Sequence, residues 1–194
     1  MSGKKTFLAA LLCAVGLGAL GLSLSRRGAG AGGTLGTDFS HQCGLRLGAL
    51  VARHVPEGGC VVVVSGELKG TNSPQRRSEL DGLREALRRG GVKIAAVLRP
   101  APGTQDLDER SGGASLELLQ KALREAPDAA AVVTLAGLPG GPPPGGAPPG
   151  NALLFAYEQT PRVAARWQEA GACRGLILRG GSELVEWEGP DRHR

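Results

Sequence analysis

The stretch Ser65-Gly-Glu-Leu-Lys-Gly-Thr-Asn-Ser73 is the richest in groups that could hold a ligand. It follows four valines and leads into Pro74, so its amides approach a helix start. Lys69, Arg76 and Arg77 add cationic donors, a combination that suits a bound anion. It is not a phosphate-binding P-loop, because Gly66 and Gly70 are wrongly spaced and no Gly-Lys-Ser/Thr follows. It also lacks GxGxxG. The competing reading is a solvated turn in which Ser73 only caps the helix. Ser65 ends a strand, yet no GxSxG elbow surrounds it and no histidine falls in a partner loop. Asp106, Asp108 and Glu109 share one loop, where paired carboxylates could do acid–base work. In a Gly-rich loop such charges are more commonly just solvated. His41, His54 and His193 show no metal-ligand spacing and there is no CxxC, so neither a zinc site nor a cofactor is expected. Nothing here demands an enzyme.

The elements that would position these residues alternate. Asp38–His54 carries Cys43, Leu47, Leu50, Val51 and His54 at helical spacing, with Asp38 as N-cap and Pro56-Glu-Gly-Gly59 as the stop. Cys60–Val64 is a β-branched run bounded by glycine, the mark of a strand buried on both faces in a parallel sheet. Ser73-Pro74 opens a helix with the stripe Leu80, Leu83, Ala86, Leu87 and the stop Gly90-Gly91. Val92–Leu98 reads as a second buried strand. Ser115–Ala126 is a helix with Leu116, Leu119 and Leu123 inward, ended by Pro127, and Ala129–Leu135 is the third strand. Gly137–Gly150 (GLPGGPPPGGAPPG) has no apolar periodicity and reads as a stiff, polyproline-like loop that packs no core. Ala152–Ala156 is strand four, Thr160-Pro161 opens a helix to Ala170 with Trp167 as a packing residue, and Cys173–Leu178 is strand five. Glu183–Trp187 could add a short edge strand.

This alternation predicts a Rossmann-like, doubly wound, mostly parallel α/β sheet of about five strands with right-handed crossovers. In such sheets ligands gather at the carboxyl ends of the strands, at a topological switch point. The candidate ligand-binding residues are therefore Ser65, Lys69 and Asn72 after strand one, Arg99 after strand two, Tyr157 and Gln159 after strand four, and Arg179 after strand five. The Pro/Gly loop follows strand three.

Ahead of the domain, Thr6–Leu24 is 19 residues without a charge, bracketed by Lys4-Lys5 and Arg26-Arg27. At about 1.5 Å per residue it is long enough to cross a bilayer. An uncleaved signal anchor fits best. A cleaved signal peptide is the alternative, although Arg26-Arg27 separates the apolar core from Ala29-Gly-Ala31, and a buried soluble helix is a third. Cys13 follows Leu12 in mid-core, which speaks against a lipoprotein signal. The basic bias favours the N-terminus in the cytoplasm and the domain outside, that is, periplasmic in a bacterial envelope. Residues 28–37 form a Gly-rich tether, and 38–194 a single domain.

The chain carries a net charge of +5, but from Asp38 onward there are 19 basic against 18 acidic residues. The excess sits at the membrane flank, and with few aromatics for base stacking a nucleic-acid partner is excluded. Of the four cysteines, Cys13 lies in the anchor. Cys60 and Cys173 read as small buried hydrophobes opening strands, with Cys43–Cys60 the more local pair should a disulfide form.

The run Val61–Ile94 resembles the strand, Ser-Gly loop and helix of type 1 periplasmic-binding-protein-like domains, the sugar-binding and LacI-type ligand-binding family. Gly82-Leu-Arg-Glu-Ala-Leu87 and the strand entry Pro127-Asp128 match its pattern as they stand. The resemblance implies a lobe with Ser65, Lys69 and Asn72 near the ligand cleft. Members of that family clamp ligand between two lobes, whereas about 157 residues make only one. Three functions follow as expectations. The first is a membrane-anchored, non-catalytic module for a small sugar or anion, or for an envelope protein. The second is a membrane-bound enzyme on a phosphorylated or sugar substrate, using Lys69, Arg76 and Arg99. The third is a structural subunit of an envelope assembly, with the Pro/Gly loop as contact.

Overall fold

The β-branched runs do form strands, and they join into one sheet. A computed structural model describes residues 34–66, 73–101, 106–108, 112–142, 152–180 and 182–189. The chain divides into a unit through Gly36 and one from Thr37 onward, and the second carries the sheet. The elements in order are α1 (Thr34–Ala52), β1 (Cys60–Val64), α2 (Ser73–Arg89), β2 (Lys93–Leu98), α3 (Leu116–Glu125), β3 (Ala131–Thr134), β4 (Leu153–Glu158), α4 (Pro161–Glu169), β5 (Gly175–Gly180) and β6 (Glu183–Glu188). The strand order is β2-β1-β3-β4-β5-β6, parallel except for the antiparallel pair β5–β6. The sheet thus has six strands rather than about five, because Glu183–Glu188 pairs fully along β5.

Alternation along the strands splits the core. Val61, Val63, Phe155, Tyr157 and Ile177 pack under α1 and α2, while Val62, Val64, Leu154 and Leu176 pack under α3 and α4. On the first face the two helices cross at glycines. A Cβ on Gly44 would stand 1.9 Å from the Glu79 carbonyl oxygen, and one on Gly82 would stand 2.2 Å from that of His41. Only hydrogen fits there, so backbone meets backbone.

Several elements depart from the expected pattern. Helix α1 begins four residues before Asp38, so Asp38 is exposed within the helix and caps nothing. Strand β2 is an edge strand with Lys93 and Ala95 exposed, not one buried on both faces. In α3 the fully buried positions are Leu118, Leu119 and Ala122, with Leu116 and Leu123 only partly covered. The Ser115 side chain accepts from the Leu118 amide and caps α3, so the helix proper starts one residue after the expected Ser115.

The Pro/Gly loop does contribute to the core. Leu138 is fully buried, the Trp167 indole Nε1 donates to the Pro139 carbonyl at 3.0 Å, and Arg166 Nη1 donates to that of Gly140 at 2.9 Å. Among the described residues between β3 and β4 there is no helix, and this loop start covers the sheet beside α4. Cys43, Cys60 and Cys173 are all free thiols, so no Cys43–Cys60 bridge forms. Among the described residues no helix is long and apolar enough to cross a membrane. The proposed anchor Thr6–Leu24 lies outside them.

Candidate functional site

Strand β1 stands between β2, reached by a crossover on one side, and β3, reached on the other. The direction of winding therefore reverses between β1 and β3, and the carboxyl ends of these strands make the switch-point crevice. A cleft of about 180 Å³ opens at this edge, lined by Arg76, Gly112, Gly113, residues 135–137 and residues 157–160.

Two carboxylates shape it. Glu158, at the end of β4, is 4% exposed. Its Oε2 accepts from the Leu138 amide at 2.7 Å, and its Oε1 accepts from the amides of Gln159 at 2.9 Å and Thr160 at 2.7 Å. Thr160 occupies the N-cap of α4 without a side-chain cap of its own, and Pro161 begins the helix. Glu158 takes over the capping, satisfying orphan amides and placing negative charge at the positive end of the helix. The same carboxylate ties the loop after β3 to the loop after β4.

Glu79, in the second turn of α2, is also 4% exposed. Arg76 Nη1 donates to Glu79 Oε2 at 3.0 Å and to the Leu135 carbonyl at 3.0 Å. Burial pushes the Glu79 carboxyl up, against the opposing pull of Arg76 and Arg179. Near this pair lie Tyr157 and Cys43, buried side by side. Burial pushes both the phenol and the thiol above their ordinary values. Deprotonating either group there would strand a charge in the core, so they act as packed neutral groups.

Of the residues expected to bind ligand, Tyr157 and Gln159 line the cleft. Tyr157 is 2% exposed, its ring among the residues under α1 and α2, while Gln159 is exposed. Ser65 is fully buried beneath the crevice, its hydroxyl 3.4 Å from the Gly66 carbonyl. Arg99 is exposed at the end of the edge strand β2. The Arg179 guanidinium stands over the Phe39 ring, 5.1 Å from its centroid. None of these three is among the cleft-lining residues. Lys69 and Asn72 lie outside the described residues. The Asp106 carboxylate accepts from the Ala101 amide at 2.8 Å, and the Asp106 carbonyl accepts from Ser115, so it holds a turn. Glu109 lies outside the described residues, and among the described residues no cluster of His, Cys, Asp or Glu could hold a metal ion.

Sequence reasoning missed Glu158, Thr160 and the Gly112–Gly113 wall. One signal was present: an acid closing an apolar run, two residues before a helix-opening Thr-Pro, suits a cap.

No family model matches the sequence, and no curated protein does. Solved structures do resemble the fold. A periplasmic ribose ABC transporter protein from Conexibacter woesei matches with a TM-score of 0.52 and 16% identity, over 72% of this chain and 45% of that one. A sugar ABC transport substrate-binding protein from Bordetella parapertussis gives 0.53 and 18%, over 74% and 42%. An ABC transporter solute-binding protein from Burkholderia graminis, in complex with D-arabinose, gives 0.52 and 18%, over 72% and 47%. The chain spans less than half the length of each. The fold is thus that of type 1 periplasmic-binding-protein-like domains, as the runs Val61–Ile94 and Pro127–Val133 led one to expect. At such identities the likeness carries the fold alone.

Proposed function

We propose that this chain is a membrane-tethered, non-catalytic binding lobe that holds a small polar ligand at the carboxyl edge of its sheet. Thr6–Leu24 is the anchor, residues 28–37 are the tether, and the domain lies on the extracytoplasmic side. The observation that carries the reading is the cleft itself, which opens on the carboxyl edge of the sheet at the ends of β3 and β4, with Arg76 reaching in from beside the β1–β3 reversal. Lys69, Asn72 and Gln159 are the loop residues expected to meet the ligand, Ser65 supports the edge from within the core, and Arg99 and Arg179 lie farther out on the same edge.

Its charged groups support binding over chemistry. The Glu158 oxygens are held by three amides and Glu79 by Arg76. Both carboxylates are thus engaged by donors of the fold itself rather than left open to a substrate. Neighbours with bound or named pentoses supply the ligand class to try first.

The test is a thermal-shift screen of the full-length chain in detergent against D-ribose, D-arabinose, D-allose and D-gluconate. A ligand at a hundred times its dissociation constant adds about 2.7 kcal/mol. For a domain of this size that raises the melting temperature by about 5–10 °C. No shift with any of them, together with turnover of a substrate by the same preparation, would overturn the reading.

A further inference from the structure

The group that stands at the switch-point crevice is a guanidinium, and it is held from one side only. Arg76 is three quarters buried, with both of its assigned contacts made through Nη1, to Glu79 and to the carbonyl of Leu135 at the end of β3. Among the described residues nothing accepts from Nε or Nη2. At the end of β1, Gly66 lies alongside: a Cβ there would stand 3.1 Å from Arg76 Nε and 3.3 Å from Cδ. A side chain at that position would press on the face of the guanidinium, which the glycine lets lie flat against the end of β1. Arg76 thus spans the ends of β1 and β3 with two parallel N–H donors unspent. Glu79, itself 4% exposed, holds the guanidinium by its Nη1 corner.

We propose that Arg76 is a ligand-recognition residue whose Nε/Nη2 edge takes a carboxylate, so that the ligand is a small sugar acid or hydroxy acid rather than a neutral sugar. This rests on reading the cleft as a ligand site. Two parallel N–H groups match the two oxygens of a carboxylate in one plane, and such bidentate pairs are among the strongest polar contacts a protein makes. The cleft also holds Glu158, whose charge would oppose an acid. That charge is already met by three amides and the start of α4. The cleft of about 180 Å³ has room for a small acid of this kind.

The experiment titrates full-length chain in detergent with D-gluconate, D-glucose and D-glucose 6-phosphate by calorimetry, in wild type, Arg76→Lys and Gly66→Ala. The wild type is expected to bind D-gluconate at least about tenfold tighter than D-glucose. Arg76→Lys is expected to remove that preference, because one ammonium cannot reproduce two fixed parallel donors. Gly66→Ala sets a methyl over the face of the guanidinium, 3.1 Å from Nε, and pushes the donor pair out of position, so it decides the matter should Arg76→Lys unfold. It is expected to weaken D-gluconate by about tenfold and to leave D-glucose unchanged. Equal binding of D-gluconate and D-glucose, or D-gluconate binding unchanged in both variants, would overturn the carboxylate assignment while leaving a binding lobe. Tighter binding of D-glucose 6-phosphate than of D-gluconate would replace the carboxylate by a phosphate. Binding of none of the three would overturn the cleft as a ligand site, and this proposal with it.

Discussion

Replacing Glu158 by glutamine tests the cleft wall with almost no change of shape. The native carboxylate accepts three amide hydrogen bonds, at 2.7, 2.9 and 2.7 Å, while only 4% exposed. A glutamine amide can present its oxygen to Gln159 and Thr160 and keep those two bonds in weaker, neutral form. Its nitrogen then faces the Leu138 amide, donor against donor. The alternative flip preserves the Leu138 bond and leaves two donors facing the nitrogen. Losing one charge-assisted bond and stranding a buried N–H costs about 2–4 kcal/mol. The weakened charge at the start of α4 adds a few tenths. Urea unfolding of the full-length chain followed by tryptophan fluorescence would read this loss, and Trp167 on the adjoining helix is a built-in reporter. A melting point lower by about 5–12 °C should accompany it. Destabilisation under about 0.5 kcal/mol would refute the argument, because it would mean that solvent already reaches these amides.

Other consequences are equally direct. Gly82→Ala and Gly44→Ala, forced against carbonyl oxygens 2.2 and 1.9 Å away, should each cost about 2–3 kcal/mol despite the better helix propensity of alanine. Gly141→Ala, with nothing within 4 Å, should stay within about 0.5 kcal/mol by the same denaturant titration. Thiol labelling at pH 8 of the folded chain should modify Cys60 well before the buried Cys43 and Cys173. Burial pushes the Cys173 thiol up to about 12 from 9.0. A thiol with a raised folded value lends stability that is fully present below its unfolded value and lost as pH rises through the folded one. Stability should therefore fall between about pH 9 and 12, and Cys173→Ala should flatten that limb of the melting curve. Trp167→Phe removes the indole donor to Pro139 and should cost about 1–2 kcal/mol, loosening the start of the Pro/Gly loop to proteolysis.

Much of this architecture was legible because the strands announce themselves. Cys60–Val64 is bounded by glycines and made of residues that only a two-sided interior tolerates, and the observed strand has those limits. Ser115 and Pro161 mark helix starts through local chemistry that tertiary context did not override. What failed depended on the neighbours of an element rather than on the element itself. Whether Val92–Leu98 is central or at an edge depends on strand order, which no periodicity contains. Leu138 sits among prolines and glycines, and only the presence of Trp167 opposite makes its burial worthwhile. The site was less legible than the fold. Arg76 and Arg77 are adjacent and chemically alike, and helix phase alone decides that the first meets Glu79 and Leu135 while the second is exposed. Glu158 reads as one more polar residue closing a strand until its three amide partners are brought together in space.

The most direct test of the cleft as a binding site is hydrogen exchange of the full-length chain, with and without 20 mM D-gluconate or D-ribose. The account expects slowed exchange in peptides covering residues 61–66, 135–138 and 157–160, with the helix pair α1–α2 unchanged away from Arg76. Protection confined to other segments, or none with either compound, would contradict it.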